Sequence, residues 1–176
     1  HTAGQFALTA DNSTFVGHSA GRGITGTKLT GNNNTAVGYQ AGLLLQGAAA
    51  DNTFLGKSAG TAVTTGIQNV IVGSNAGDAI TTNSYNTLVG TGAGGLTTGT
   101  LNAFLGRSSG SAMTSGTKNS IIGSYNGNQE SLDIRTASNN IVLSDGDGVP
   151  LFSYLSGNHA FRLRGSQIGL NLLGVQ

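Results

Sequence analysis

The chain has 176 residues, among them 30 glycines, one proline, no cysteine and no tryptophan, and its eight basic and seven acidic side chains leave a formal charge of +1. Glycine without a three-residue period excludes collagen, and apolar β-branched residues at fixed places in a chain only 9% charged argue against disorder. The bases Arg22, Lys28, Lys57, Arg107, Lys118, Arg135, Arg162 and Arg164 form no run that could follow a phosphate backbone, so no nucleic-acid partner is expected; no apolar run of ~18 residues is present, so no membrane insertion is expected.

Residues 1–11 read as an N-terminal lead-in. The chain opens in mid-pattern at His1 without a leader-like stretch, as a segment of a longer protein would. From residue 12 to 127 a short motif recurs: Ser13–Gly17, Asn34–Gly38, Asn52–Gly56, Asn69–Gly73, Asn86–Gly90, Asn102–Gly106 and Asn119–Gly123, with an eighth copy at Asn140–Ser144. A second glycine follows four residues after each copy (Gly21, Gly42, Gly60, Gly77, Gly94, Gly110, Gly127 and Gly148). The motif recurs at intervals of 16 to 21 residues, with 17 typical of the central copies. That period is too short for a pair of helices and matches one turn of a parallel β-solenoid, or β-roll. Ile24, Leu45, Val63, Ile80, Leu96 and Met113 form a second apolar series for the opposite limb. Gly66, Asn83, Gly99 and Gly116 follow it at positions suited to turning the chain back. The recurring Asn of the motif should stack into a column that hydrogen-bonds along the solenoid.

Within each motif two neighbouring residues are apolar, for example Phe54 and Leu55 or Phe104 and Leu105. Neighbours on a strand point to opposite faces. One set should fill the interior, while Val16, Val37, Leu55, Val72, Val89, Leu105, Ile122 and Leu143 form an outer apolar stripe about 35 Å long. Such a stripe is an association surface, and the thin core with Ala20, Ala41, Ala59, Ala76 and Ala93 at the corners calls for oligomerisation. Three chains about a common axis is the expected number. The residues after the motif glycine (His18, Tyr39, Lys57, Ser74, Thr91, Arg107, Ser124) vary and should face solvent.

Residues 128–148 read as an irregular loop and last coil, and 149–176 as a C-terminal β cap or trimer clamp. In the latter, Leu151–Leu155 and Ala160–Leu163 flank Ser156–His159 as a hairpin. Tyr125, Phe152, Tyr154, His159 and Arg162 are the candidate ligand-binding residues, since aromatic rings and a guanidinium suit sugar recognition, although aromatic residues also serve the core.

Three stretches match the G-x-S-x-G pattern of hydrolases: Gly17–Gly21, Gly56–Gly60 and Gly106–Gly110. A nucleophile elbow occurs once, between a strand and a helix; here the repeat generates the pattern. Gly90–Gly95 resembles a dinucleotide-binding glycine pattern but lacks its βαβ setting. Asp145 and Asp147, with Glu130 and Asp133, offer too few oxygens for calcium and read as a turn. No catalytic residue, metal or cofactor is expected, and the chain does not read as an enzyme.

The stretches Asn34–Gly42, Asn52–Gly60 and Asn139–Gly148 resemble the repeats of phage tail fibres, including fibres that carry an endosialidase-type intramolecular chaperone. They are also similar to the head repeats of trimeric autotransporter adhesins. The resemblance spans about residues 12–148. It implies an extracellular homotrimer, on a virion tail fibre or a bacterial cell surface, that attaches to a cell-surface glycan or protein. Alternatives are a passive fibre shaft and a capsule-degrading tailspike. An ice-binding face would need regular Thr columns, and only Thr14, Thr35, Thr53 and Thr87 approach one.

Overall fold

A computed structural model describes residues 2–164. The described residues contain no helix. Seven three-residue strands, β1 (Thr14–Val16), β2 (Thr35–Val37), β3 (Thr53–Leu55), β4 (Val70–Val72), β5 (Thr87–Val89), β6 (Ala103–Leu105) and β7 (Ser120–Ile122), pair in sequence order, all parallel. A short antiparallel pair, β8 (Asn128–Gln129) and β9 (Leu132–Asp133), leaves the stack. The chain then rejoins it as β10 (Ile141–Ser144), parallel to β7. The result is a parallel β-solenoid of about eight turns with ~17 residues per coil. Beyond it, β11 (Pro150–Leu155) and β12 (Ala160–Leu163) add antiparallel to β10 and extend the sheet to ten strands.

Each strand buries its middle residue and turns the two flanking residues outward. Ala36, Phe54, Ile71, Leu88, Phe104, Ile121 and Val142 are fully enclosed, and Phe15 at the open end is partly so. Leu45, Val63, Ile80 and Met113 meet them from the opposite limb, with the corner alanines between. Two expectations on that limb need correction. Leu96 is 58% exposed, and Thr97 takes the interior place, because from the second coil to the sixth the inward residue stands three after the second glycine, and in this coil that is Thr97. In the first coil Ile24 is only half-buried and Leu29 is the enclosed residue, bridged to Ala7 and Gly47.

Two columns explain the motif letters. The Asn column is buried from Asn34 to Asn140, each member no more than 3% exposed. Asn69 donates both its backbone N–H and its Nδ2 to Asn52 Oδ1, at 3.0 and 3.1 Å, and its own Oδ1 accepts the same pair from Asn86 at 3.0 and 3.3 Å. A second Nδ2 hydrogen bond reaches the far corner, as from Asn52 to the Gly66 carbonyl at 2.8 Å. One side chain thus satisfies a backbone N–H of the next coil and a carbonyl at the far corner, in the buried interior of the coil. The ladder starts at the Ser13 hydroxyl, which accepts the Asn34 N–H, and runs on to Asn140 Oδ1, which accepts the N–H of Ser156 in the hairpin turn.

The motif glycines form the other column. Gly17 to Gly106 hold φ between +125° and +141°, and a Cβ on any of them would strike the backbone of the motif glycine one coil further along. A Cβ on Gly123 would meet the Ser144 carbonyl oxygen at 2.1 Å. Ser144 has no further parallel coil beyond it, and it alone in the column is not glycine.

Candidate functional site

The outer face of the sheet carries two columns of side chains. One is Val16, Val37, Leu55, Val72, Val89, Leu105, Ile122 and Leu143, as the alternation predicts; of these, Val16, Leu105 and Ile122 are at least half exposed. The other, Thr14, Thr35, Thr53, Val70, Thr87, Ala103, Ser120 and Ile141, is uncharged throughout. Val70 interrupts the threonines, so no unbroken Thr column exists.

Strand register carries this face into the hairpin. Ile141 pairs with Tyr154 and Leu143 with Phe152, and these in turn oppose Phe161 and Leu163. Directly opposed residues share a face. Phe152, Tyr154, Phe161 and Leu163 therefore continue the apolar stripe, with Phe161 packed against Tyr154 and Phe152 at ring separations of 5.0 and 5.9 Å. Phe161 and Leu163 were not singled out from sequence, because their face follows from the pairing with β11 and not from the repeat.

The five candidate ligand residues divide into three places. Phe152, Tyr154 and His159 gather on the stripe, where the Tyr154 hydroxyl lies 3.0 Å from His159 Nδ1. Arg162 opposes Ser153, on the other face of the hairpin. Tyr125 is enclosed and does not join them: its hydroxyl donates to the Leu132 carbonyl at 2.7 Å, and burial pushes its ionisation well above the ordinary phenol range. The reason lies in the corner. Gly110 N–H bonds the Tyr125 carbonyl as Gly94 N–H bonds that of Ser109. Tyr125 thus stands in the corner-alanine column after a turn one residue shorter than the others.

On Arg162's side, concave surface gathers between the 128–137 excursion and the hairpin. One cleft of about 430 Å³ is lined by Glu130, Ser153, Arg162 and Arg164 among others. A second, of about 490 Å³, is lined by Ser131, Asp133, Ile134, Leu155, Asn158 and Arg162 among others. Two ion pairs tie this region: Arg164 to Glu130 at 2.7 Å and Arg135 to Asp133 at 2.7 Å. Hydrogen bonds from Arg135 hold the Asp133 carboxyl below its usual range. Sequence alone signalled this place through the loss of regularity within 128–148 and through Arg162, without bringing the two together.

The remaining motifs resolve into backbone structure. Ser19, Ser58 and Ser108 of the three G-x-S-x-G stretches all sit in the left-handed region at the same corner, with φ between +55° and +59°. The Ser19 hydroxyl lies between Thr2 Oγ1 and His18 Nδ1, at 3.0 and 3.1 Å. Asp145 Oδ1 accepts the Asp147 and Val149 amides, closing a turn. Further along the wall, His18 stacks on Tyr39 with ring centroids 5.5 Å apart. Comparison with protein-family models, curated proteins and solved structures found no match to the chain.

Proposed function

We propose that this chain is a segment of a homotrimeric, extracellular fibre that attaches to a cell-surface glycan or protein, and that it is not an enzyme. The observation that carries the reading is the outer sheet face, uncharged along all eight solenoid strands with one of its two columns apolar throughout, and continued in the hairpin by Phe152, Tyr154, Phe161 and Leu163. Water contact along such a face is costly at ~25 cal/mol per Å², and a second and third copy of the same face is the partner that repetition supplies at no extra cost in sequence.

The number three follows from the resemblance of the repeats to trimeric fibres, since the area of the strip calls only for self-association. Ten strands at ~4.8 Å and a strand width of ~10 Å give a strip of roughly 450 Å² per chain. Two strips face to face would bury roughly 900 Å², just short of the ~1,000 Å² of a specific two-chain interface, and a third copy adds to the total buried around the axis without adding area per pair. In this arrangement the hairpin acts as the cap and clamp at one end, since it closes the Asn ladder through Ser156 and adds Phe161 to the seam.

The strip leaves Phe152 and Tyr154 inside the assembly, so recognition moves to Arg162's side. A passive shaft, with recognition on another part of the fibre, is the second reading, favoured by the regular backbone of seven stacked parallel strands. Sedimentation at micromolar concentration tests the assembly: a species three times the chain mass is expected, and a stable, folded monomer would refute the fibre. Binding to intact bacterial cells, measured with and without soluble surface polysaccharide, separates attachment from a passive shaft.

A further inference from the structure

We infer that the cleft between the 131–137 excursion and the turn of the C-terminal hairpin is a binding site for a carboxylate-bearing saccharide, held through Arg162. This rests on the fibre reading only in taking a surface polymer as the ligand; the chemistry of the cleft is independent of assembly.

Three arginines stand at this end of the molecule, and two are occupied. Arg135 holds Asp133 through its Nε and terminal nitrogen at 3.0 and 2.7 Å, and Arg164 holds Glu130 at 2.7 Å. Arg162 makes no side-chain hydrogen bond or ion pair with any described residue, and it lines both clefts. The acid that shares its cleft, Asp133, is already neutralised, so the local excess is one positive charge. A guanidinium presents a planar fork that matches a carboxylate with two parallel hydrogen bonds.

The other lining groups suit a sugar ring around that carboxylate. The Ser131 hydroxyl has no partner among the described residues. Asn158 Oδ1 accepts the Ala160 amide at 3.2 Å, which leaves its two N–H groups to donate. Ile134 and Leu155 supply an apolar wall for the C–H face of the ring. The cleft volume of about 490 Å³ falls in the range of small-molecule sites. A single unpaired arginine is too little for a nucleic acid, whose binding needs several phosphate contacts.

Calorimetric titration of the whole chain with tetragalacturonate, trimeric sialic acid and, as the neutral probe, maltotetraose tests the site. At least one acidic probe is expected to bind about ten-fold or more tightly than maltotetraose, and to weaken with added salt. Arg162→Ala should abolish the preference, and Arg162→Lys should keep only part of it, since an ammonium lacks the fork. Asn158→Ala, in the exposed hairpin turn, should weaken binding about three-fold to ten-fold by loss of hydrogen bonds. Thermal unfolding and sedimentation of each variant establish that fold and assembly are intact. The inference is overturned if neither acidic probe outcompetes maltotetraose, or if the Arg162 and Asn158 variants bind as the parent does. Acid-selective binding by a monomeric chain would refute the fibre and leave the site standing. A trimer that holds cells without acid selectivity would do the reverse.

Discussion

At Gly90 the backbone holds φ at +138°, and a Cβ built there would lie 2.2 Å from the carbonyl oxygen of Gly106. Both facts forbid a side chain, and the second cannot be relieved by a rotamer because the obstacle is backbone. Gly90→Ala should therefore cost about 3 kcal/mol, from left-handed strain together with a forced opening of the coil step. Gly26→Ala, where an added Cβ meets nothing within 4 Å, should be near neutral. Thermal unfolding of the two variants measures the difference; equal melting temperatures would contradict the stacking explanation of the motif. Tyr125 sets a second residue-scale test. Its phenol is held neutral by burial, so its folded ionisation lies above the ordinary value of 10.0. A raised value means that the stabilisation is complete below about pH 10 and is lost as pH climbs from there toward the folded value. Tyr125→Phe should lose about 1 kcal/mol with the hydrogen bond to Leu132. It should also show a shallower alkaline decline than the parent when stability is followed by denaturant titration between pH 9 and 11.

The coil as an element was legible because its determinants are local and repeated. The Asn, the enclosed apolar residue and the glycine of each motif occupy one geometric place apiece, so seven near-copies reveal them without any knowledge of the rest. Where the coil changes length the same reading slips. Leu96 looked like the interior residue because it is apolar, yet register assigns that place to Thr97, and stacking outranks hydropathy in a coil this thin. Tyr125 escaped for a related reason: a corner shortened by one residue moved it from the wall into the alanine column. The faces of Phe161 and Arg162 depend on an antiparallel register that contains an irregularity between Leu143 and Ser144, and no periodicity in the sequence carries that information. The Asn ladder offers the sharpest test of the element. Asn86→Asp puts an oxygen where Nδ2 now donates to Asn69 Oδ1 and to the Gly99 carbonyl, at 3.3 and 3.1 Å. The buried carboxylate should cost on the order of 2–4 kcal/mol at neutral pH. Burial raises its ionisation in the fold above the ordinary carboxyl value of about 3.9, so the variant should regain stability as pH falls toward 4 and the protonated acid can donate one bond. A melting-temperature deficit that does not shrink between pH 7 and 4 would show that the ladder's donors are not what matters.

For the whole molecule the decisive quantity is whether the outer strip is wet. Leu55 and Leu105 are 48% and 50% exposed in the single chain, while their neighbours Phe54 and Phe104 are fully enclosed and carry the solenoid core. A charge at the two outward positions therefore leaves the interior of each coil unchanged and acts only on what lies against the strip. In a trimer, Leu55→Glu with Leu105→Glu places six carboxylates in a desolvated seam, and each would cost several kcal/mol unless the copies separate. The double variant should sediment as a monomer with the β-rich circular dichroism of the parent. Its melting temperature should be lower and, unlike the parent's, independent of protein concentration, since the stability contributed by association follows mass action. Lys57→Glu, which changes charge just beyond the strand where the side chain is exposed, should leave the trimer intact. If the double variant and the Lys57 variant sediment alike, the strip is not the seam, and the association surface must be sought on another side of the solenoid.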